Sequence, residues 1–152
     1  MSADPDRVLL AASVAFAGAA IAGSAVAVRR QLPGQPCGIS VPLSIPAGLL
    51  AGWGAGVAAP WPMPVAAVIA AARSRRTEPS ALTGAVCAGI GVGCVLGTAV
   101  EPVTRRPGTW SPATRGAIVF NLAASAALIV AGWRHLAAAR SLTTAEPGNP
   151  GV

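Results

Sequence analysis

The sequence predicts an all-α membrane protein, folded as a bundle of four transmembrane helices with a Pro-kinked or broken second helix. Two observations carry this prediction. Only 11% of the 152 residues are charged and 53% are apolar, whereas a soluble domain has about a quarter charged residues on average. The apolar residues also fall into four runs, each roughly as long as the ~20 residues that a helix needs to cross a bilayer.

The first span is predicted over residues 8–28, a run without charge that stops at Arg29 and Arg30. Its flank carries Asp4 and Asp6, whereas a signal peptide has a basic flank and a core of about 7–15 residues. We therefore expect a retained helix. In lipid only helices and closed barrels satisfy every backbone polar group, and these runs lack the alternation of barrel strands.

The second span is predicted over residues 46–72 and is the irregular one. Three prolines lie near its middle: Pro60, Pro62 and Pro64. Proline removes a helical hydrogen bond and clashes with the preceding turn, so the helix should kink or break there. We favour a single kinked helix that ends at the following arginines. The alternative is a span over residues 42–59, followed by a short interfacial helix over residues 63–76.

The remaining two spans are predicted over residues 81–100 and 116–133. Glu101 and a proline close the first of them, and an Arg-His pair closes the second. The loops between spans are rich in proline and glycine, which is typical of irregular structure. We expect one four-helix domain over residues 1–140, followed by a disordered tail over residues 141–152.

Four spans place both termini on the same side of the membrane. The arginines divide almost evenly between the two sides, so the positive-inside rule gives little bias, and a protein that inserts both ways is an alternative. The densest cluster, residues 73–76, favours cytoplasmic termini of a multi-pass protein in the cell membrane. Arginine without lysine, together with abundant alanine, is typical of a GC-rich bacterial genome.

Glycines recur at a spacing of four in two spans. They are Gly48, Gly52 and Gly56 in the second span, and Gly89, Gly93 and Gly97 in the third. Residues four apart lie on one helix face, and small side chains there let helices in a membrane pack closely. We interpret these glycines as helix-packing residues, either within one bundle or between two copies of the chain.

Polar residues near the spans supply the candidate ligand or ion sites. Asn121 and Ser125 lie one turn apart on the fourth span, where they either hydrogen-bond to another helix or contact a substrate. Glu101 is the acidic residue closest to a span interior. It is interpreted either as an interfacial carboxylate paired with a loop arginine such as Arg105, or as a proton or cation ligand at a cavity mouth.

Nothing in the sequence predicts a cofactor, a metal site or a catalytic group. Cys87 and Cys94 lie about 10 Å apart along one helix, beyond the ~7 Å Cα separation that a disulfide allows, and Cys37 is in a loop. We interpret the cysteines as small apolar residues. His135, the single histidine, is expected at the lipid headgroups. The net charge of +6 is spread along the chain, which does not favour nucleic-acid binding.

Three function hypotheses follow, with a non-enzymatic role favoured over an enzymatic one. The first is an accessory or self-associating membrane subunit, with the lipid bilayer, a second copy or other membrane subunits as partners. The second is a small transporter or channel that acts as an oligomer. The chain resembles the small multidrug-resistance transporters in size alone, because residues 8–28 lack the acidic residue of their first helix. The third is a thiol-dependent membrane redox enzyme.

Overall fold

The computed structural model describes residues 4–76 and 80–144. Within these ranges the regular structure is helical, as predicted, and two short 3-10 turns lie in the loops. The helices are α1 (Pro5–Arg30), α2 (Ile45–Ala51), α3 (Pro62–Ser74), α4 (Ala81–Val100) and α5 (Pro112–Thr144).

Helices α1, α4 and α5 are long and apolar enough to cross a membrane, and they contain the first, third and fourth predicted spans. Helix α5 is longer than predicted at both ends and continues through Thr144. Residues 141–144 are therefore helical and not part of a disordered tail, because the alanine-rich sequence before them favours helix and no proline or glycine intervenes. Residues 145–152 lie outside the described residues.

The second predicted span is not one kinked helix. Ten non-helical residues, here named the break segment (residues 52–61), separate α2 from α3. Helix α2 ends at Gly52, whose φ of 89° is in the left-handed region that glycine adopts without steric cost. The prolines explain the restart, since Pro62 is in the first turn of α3, where proline costs no hydrogen bond.

Neither half of this broken region is long enough to cross a membrane as a helix. Helix α2 has 7 residues and α3 has 13, which gives lengths of about 10 Å and 20 Å against a hydrocarbon core of about 30 Å. The predicted bundle of four spanning helices is therefore supported for three helices.

The break segment is folded into the protein interior. Ala55, Val57 and Ala58 are buried, and the first loop and α2 supply polar partners for the segment. The indole nitrogen of Trp53 donates to the carbonyl oxygen of Gly34 at 3.0 Å. The amide of Trp61 donates to the carbonyl oxygen of Leu49 at 3.0 Å. Such partners matter because a buried polar group without a hydrogen bond is costly.

Helices α4 and α5 share the largest helix–helix interface and run antiparallel. Gly84 of α4 lies against Gly132 of α5, whereas Thr98, near the other end of α4, contacts Asn121. Helix α1 packs against both α5 and α3. As a result, the start of α1, the end of α3 and the last part of α5 meet at one end of the molecule, which we name the terminal end. The first and last loops meet at the opposite end, named the loop end.

Candidate functional site: a buried glutamate between two cavities

Glu101 directly follows α4 at the loop end, and its residue is only 6% exposed. The backbone amide of Gln35 donates to the carboxylate, with distances of 3.0 Å to Oε2 and 3.3 Å to Oε1. Burial raises the pKa of Glu101 above its usual range, and the hydrogen bond from Gln35 opposes part of that rise. Among the described residues no ion pair joins Glu101 to an arginine, so its charge has no cationic partner there.

An inner cavity of about 120 Å³ lies between α4 and the break segment. Helix α4 contributes Cys94, Thr98 and the adjacent Glu101 to its wall, and Trp53 and Met63 line the opposite side. A water molecule takes up about 30 Å³ in the liquid, and pockets that bind drug-sized ligands have volumes of about 300–1,000 Å³. The cavity therefore has room for a few waters or a small ion but not for a drug-sized molecule.

An outer cavity of about 220 Å³ is also lined by Glu101. The loops at the loop end form it, and Gln35, Arg106 and Thr109 line it together with Glu101. Glu101 thus borders both cavities.

Asn121 is buried between α4 and α5 and is bonded to residues of the inner cavity wall. Its side-chain amide donates to Thr98 Oγ1 at 3.2 Å and lies 3.5 Å from Cys94 Sγ. Ser125 instead donates to the carbonyl oxygen of Asn121 in its own helix, at 2.7 Å. The structure therefore connects Asn121 to Glu101 through the α4 face that carries Thr98, and leaves Ser125 one turn away.

The sequence analysis missed Thr98 as a member of this site. Its signal was present, because Cys94, Thr98 and Glu101 follow one another at spacings of four and three, which places them on one helix face.

The first predicted glycine set does not share a helix face. Gly48 lies inside α2, but Gly52 ends that helix and Gly56 belongs to the break segment. A Cβ on Gly56 would lie 3.1 Å from a methyl carbon of Val103. Gly48 would meet the carbonyl oxygen of Gly54 at 3.4 Å. These residues pack within the chain, but each against a different neighbour, because the helix that would align them stops after Ala51.

The second glycine set lies on the outer side of α4. Gly89, Gly93 and Gly97 are exposed, and a Cβ on any of them would meet nothing within 4 Å. Gly93 and Gly97 also border the inner cavity. The close contacts with α5 are made instead by Gly84 and Gly91. These two glycines are seven residues apart, so the spacing of four did not predict them.

The cysteines and the histidine complete the set of predicted residues. All three cysteines are free thiols; Cys37 is exposed, and Cys87 and Cys94 are buried in α4. His135 is fully buried and not at an exposed headgroup position, because α1 and α3 cover it at the terminal end. Within the described ranges no cluster of three or more His, Cys, Asp and Glu residues could hold a metal ion.

Comparison with protein-family models, with curated proteins and with solved structures finds no match to this chain. Among the candidate site residues, Glu101 combines burial, ionisable chemistry and access to two cavities. Ionisable groups within membrane-spanning segments mark proton and ion pathways in other membrane proteins, and Glu101 directly follows such an apolar helix.

Proposed function

We propose that this chain is a small membrane transporter or channel in which Glu101 binds a proton or a small inorganic cation. One observation carries the proposal: Glu101, which is buried, is the described residue that lines both the inner and the outer cavity. A bound proton or cation would neutralise a charge that is costly to bury and that lacks a cationic partner among the described residues.

The proposal includes a fourth crossing of the membrane, made by the break segment and α3 together. Its support is that Trp53, near the start of the break segment, bonds to Gly34 of the first loop, whereas Ser74 at the end of α3 bonds to Asp6 at the terminal end. Interrupted helices whose free backbone groups line a site occur in many transporters. The arginine cluster of residues 73–76 favours cytoplasmic termini for such a multi-pass protein in the cell membrane.

The size and lining of the inner cavity define the class of substrate. A volume of about 120 Å³ favours a proton, water or a small cation over an organic substrate. The carboxylate oxygens of Glu101 and the hydroxyl of Thr98 are hard oxygen ligands, which suit hard cations, and the single carboxylate balances the charge of one proton or one monovalent cation. We therefore place the substrate among H⁺, Na⁺ and K⁺.

Flux measurements in liposomes test the proposal. Purified protein is reconstituted, a membrane potential is imposed, and the movement of H⁺, Na⁺ and K⁺ is followed with ion-sensitive dyes. We expect the wild type to carry at least one of these ions faster than protein-free liposomes. Glu101→Gln, which keeps the side-chain shape and an acceptor for the Gln35 amide but loses the charge, should reduce flux to the protein-free level.

Two neighbouring arginines provide a matched control. Arg106 lines the outer cavity and the exposed Arg105 does not. Arg106→Gln should change the rate or the ion preference, because it removes a positive charge from the cavity that leads to Glu101, while Arg105→Gln should leave both unchanged. The proposal fails if a folded wild type moves none of the three ions, or if Glu101→Gln retains wild-type flux.

A second candidate function is a membrane subunit that works by associating with a second copy of itself. The specific observation is the open face of α4 formed by Gly89, Gly93 and Gly97. The glycines that pack α4 on α5 within the chain are different ones, Gly84 and Gly91. A glycine face at spacing four lets two membrane helices approach closely enough for backbone contact, and an oligomer would also serve the transport function.

Counting subunits in lipid bilayers tests this candidate. Single-molecule photobleaching of dye-labelled protein in nanodiscs or liposomes should show two or more copies for the wild type. Gly89→Leu should shift the population to monomers, since it fills the open face away from the inner cavity. Val119→Leu, at an exposed position of α5, should leave the population unchanged. A monomeric wild type, or a Gly89→Leu variant that still associates, would exclude this interface.

A further inference from the structure

A long apolar groove lies on the surface of the protein, between α1 and the two short helices α2 and α3. Two adjoining cavities form it, with volumes of about 230 Å³ and 450 Å³. Trp61 lines both of them, so that the first cavity leads into the second. We name the two cavities together the α1 groove.

One face of α1 lines the α1 groove along its whole length. From this helix, Ala17, Ala20 and Ile21 line the first cavity, and Ser24, Val28 and Arg29 line the second. Residues three and four apart are neighbours on one helix face, so the groove follows α1 without a break. The facing wall is formed by α3 beside the first cavity and by α2 beside the second, with side chains such as Val65 and Leu50.

The length of the α1 groove matches one leaflet of a bilayer. Ala17 lies near the middle of α1, and Arg29 lies in its last turn. The rise from Ala17 to Arg29 is about 18 Å, whereas half of the hydrocarbon core of a bilayer measures about 15 Å. A chain of methylene groups in the groove would therefore reach from the middle of the membrane to the headgroup level at the loop end.

The walls of the α1 groove suit such a chain. Ile21, Val65 and Ile69 are roughly half exposed, although they are large apolar side chains. Ser24 is the polar residue within the groove, and its hydroxyl donates to the carbonyl oxygen of Ala20 at 2.7 Å. The wall between the middle of α1 and Arg29 thus presents apolar surface to its occupant.

Arg29 gives the α1 groove one charged end. Its side chain is exposed, and no ion pair joins it to an acidic residue in the part of the chain that the structure describes. The exposed charges described around the loop end are all positive: Arg29, Arg30, Arg105, Arg106 and Arg115. The acidic residue described there, Glu101, is buried. An occupant with an anionic head therefore complements this end of the groove.

From this geometry we infer that the α1 groove binds one acyl chain of an anionic phospholipid, whose headgroup lies beside Arg29. The apolar wall holds the chain, and the arginine selects the charge of the head. The helix dipole favours both arginines at the end of α1, but only Arg29 lines the groove. The inference rests on α1 crossing the membrane and is independent of the ion transport proposed for Glu101.

Competition between two lipids tests the selection by charge. Delipidated protein in detergent is mixed with equal amounts of phosphatidylglycerol and phosphatidylcholine that have the same acyl chains, and native mass spectrometry counts the complexes. For the first bound lipid we expect about fivefold more phosphatidylglycerol, which corresponds to about 1 kcal/mol for one arginine near an anionic headgroup. Arg29→Gln should bind the two lipids about equally. Arg30→Gln, the adjacent control outside the groove, should keep the wild-type preference.

Filling the α1 groove tests the position of the acyl chain. Ile21→Trp places a larger side chain in the first cavity and should remove the preferred lipid. Val119→Trp, at an exposed position of α5, should retain it. Trp61 offers an independent signal, because a brominated acyl chain quenches a tryptophan that it touches. Stoichiometric brominated phosphatidylglycerol should quench the wild type and Trp133→Phe, but should quench Trp61→Phe much less.

Several results would overturn the inference. One is a folded wild type that binds the two lipids equally, since the groove would then hold lipid without regard to charge. Another is an equal loss of preference in Arg29→Gln and Arg30→Gln, which would assign the effect to general surface charge. A third is an Ile21→Trp variant that keeps the preferred lipid. If Ile21→Trp instead lowered the number of chain copies per nanodisc and left lipid binding unchanged, the groove would be an interface between copies.

Discussion

Gly84 and Gly132 lie opposite each other where α4 packs against α5, and substitution there tests the central helix contact of the fold. A Cβ at residue 84 would lie 2.7 Å from the carbonyl oxygen of Gly132 and 2.7 Å from the amide nitrogen of Leu136. Both are backbone atoms, which cannot rotate away as a flexible side chain can. Gly84→Ala should therefore push the two helices apart and weaken the packing on either side of the contact.

The magnitude follows from a matched pair of substitutions on the same helix. Gly89→Ala adds the same methyl group to α4, but a Cβ there meets nothing within 4 Å. Both variants gain up to about 1 kcal/mol from the higher helix propensity of alanine. Only Gly84→Ala has the overpacking cost, about 1–3 kcal/mol. The difference between the two free energies of unfolding should therefore be about 1–3 kcal/mol, with Gly84→Ala the less stable variant.

Unfolding in mixed micelles measures this difference. Protein in mild detergent is titrated with sodium dodecyl sulfate, and the four tryptophans report the folded fraction by fluorescence. Gly132→Ala, whose Cβ would lie 2.7 Å from the carbonyl oxygen of Gly84, should behave like Gly84→Ala. If Gly84→Ala and Gly89→Ala unfold at the same denaturant fraction, the close approach of α4 and α5 described here is wrong.

Two further predictions use the same unfolding assay. Asn121→Leu removes the hydrogen bond to Thr98 and should lower the free energy of unfolding by about 1 kcal/mol. The control Val119→Leu, at an exposed site, should change the free energy of unfolding by less than about 0.5 kcal/mol. Equal free energies of unfolding for the two variants would contradict a structural role for the Asn121 amide. Burial raises the pKa of Glu101 above its ordinary value of 4.5. Between the ordinary pKa and the raised pKa, the folded state therefore binds more protons than the unfolded state. As a result, the stability of the wild type should fall as the pH rises through the raised pKa. Glu101→Gln should lack this fall, and an unchanged slope in that variant would assign the pH dependence to another group.

The sequence predicted the three long helices well, because their cause is local. Runs of about 20 apolar residues with charges at their ends can satisfy their backbone in lipid only as helices or as a closed barrel, and α1, α4 and α5 contain the predicted spans. The second span could not be predicted in the same way. Three prolines are compatible with a kink or with a helix start, and the choice depended on the first loop, which supplies hydrogen-bond partners to the break segment.

Parts of the candidate site were also visible in the sequence, for the same local reason. Glu101 stood out as an acid beside an apolar run, and Asn121 stood out as an amide within one. The sequence did not show that Glu101 and Asn121 lie near the same cavity wall. Their proximity depends on the register of α5 against α4, and that register is set by Gly84, Gly91 and Gly132. The two cavities that Glu101 lines are formed largely by the break segment and the loops. The spacing of residues along the sequence does not predict the positions of these irregular segments.

The sequence alone thus determined that this protein is helical and apolar enough for a membrane, since both properties follow from composition and from the order of residues along single helices. The tertiary structure decided which polar groups meet. Asp6, Ser74 and His135 lie on three different helices, and the sequence analysis placed the histidine at the lipid headgroups. Antiparallel packing of α1 with α3 and α5 brings them within 3.2 Å of one another. The physical reason is that a contact between helices depends on crossing geometry and register, which are properties of the assembled bundle and not of any one of its helices.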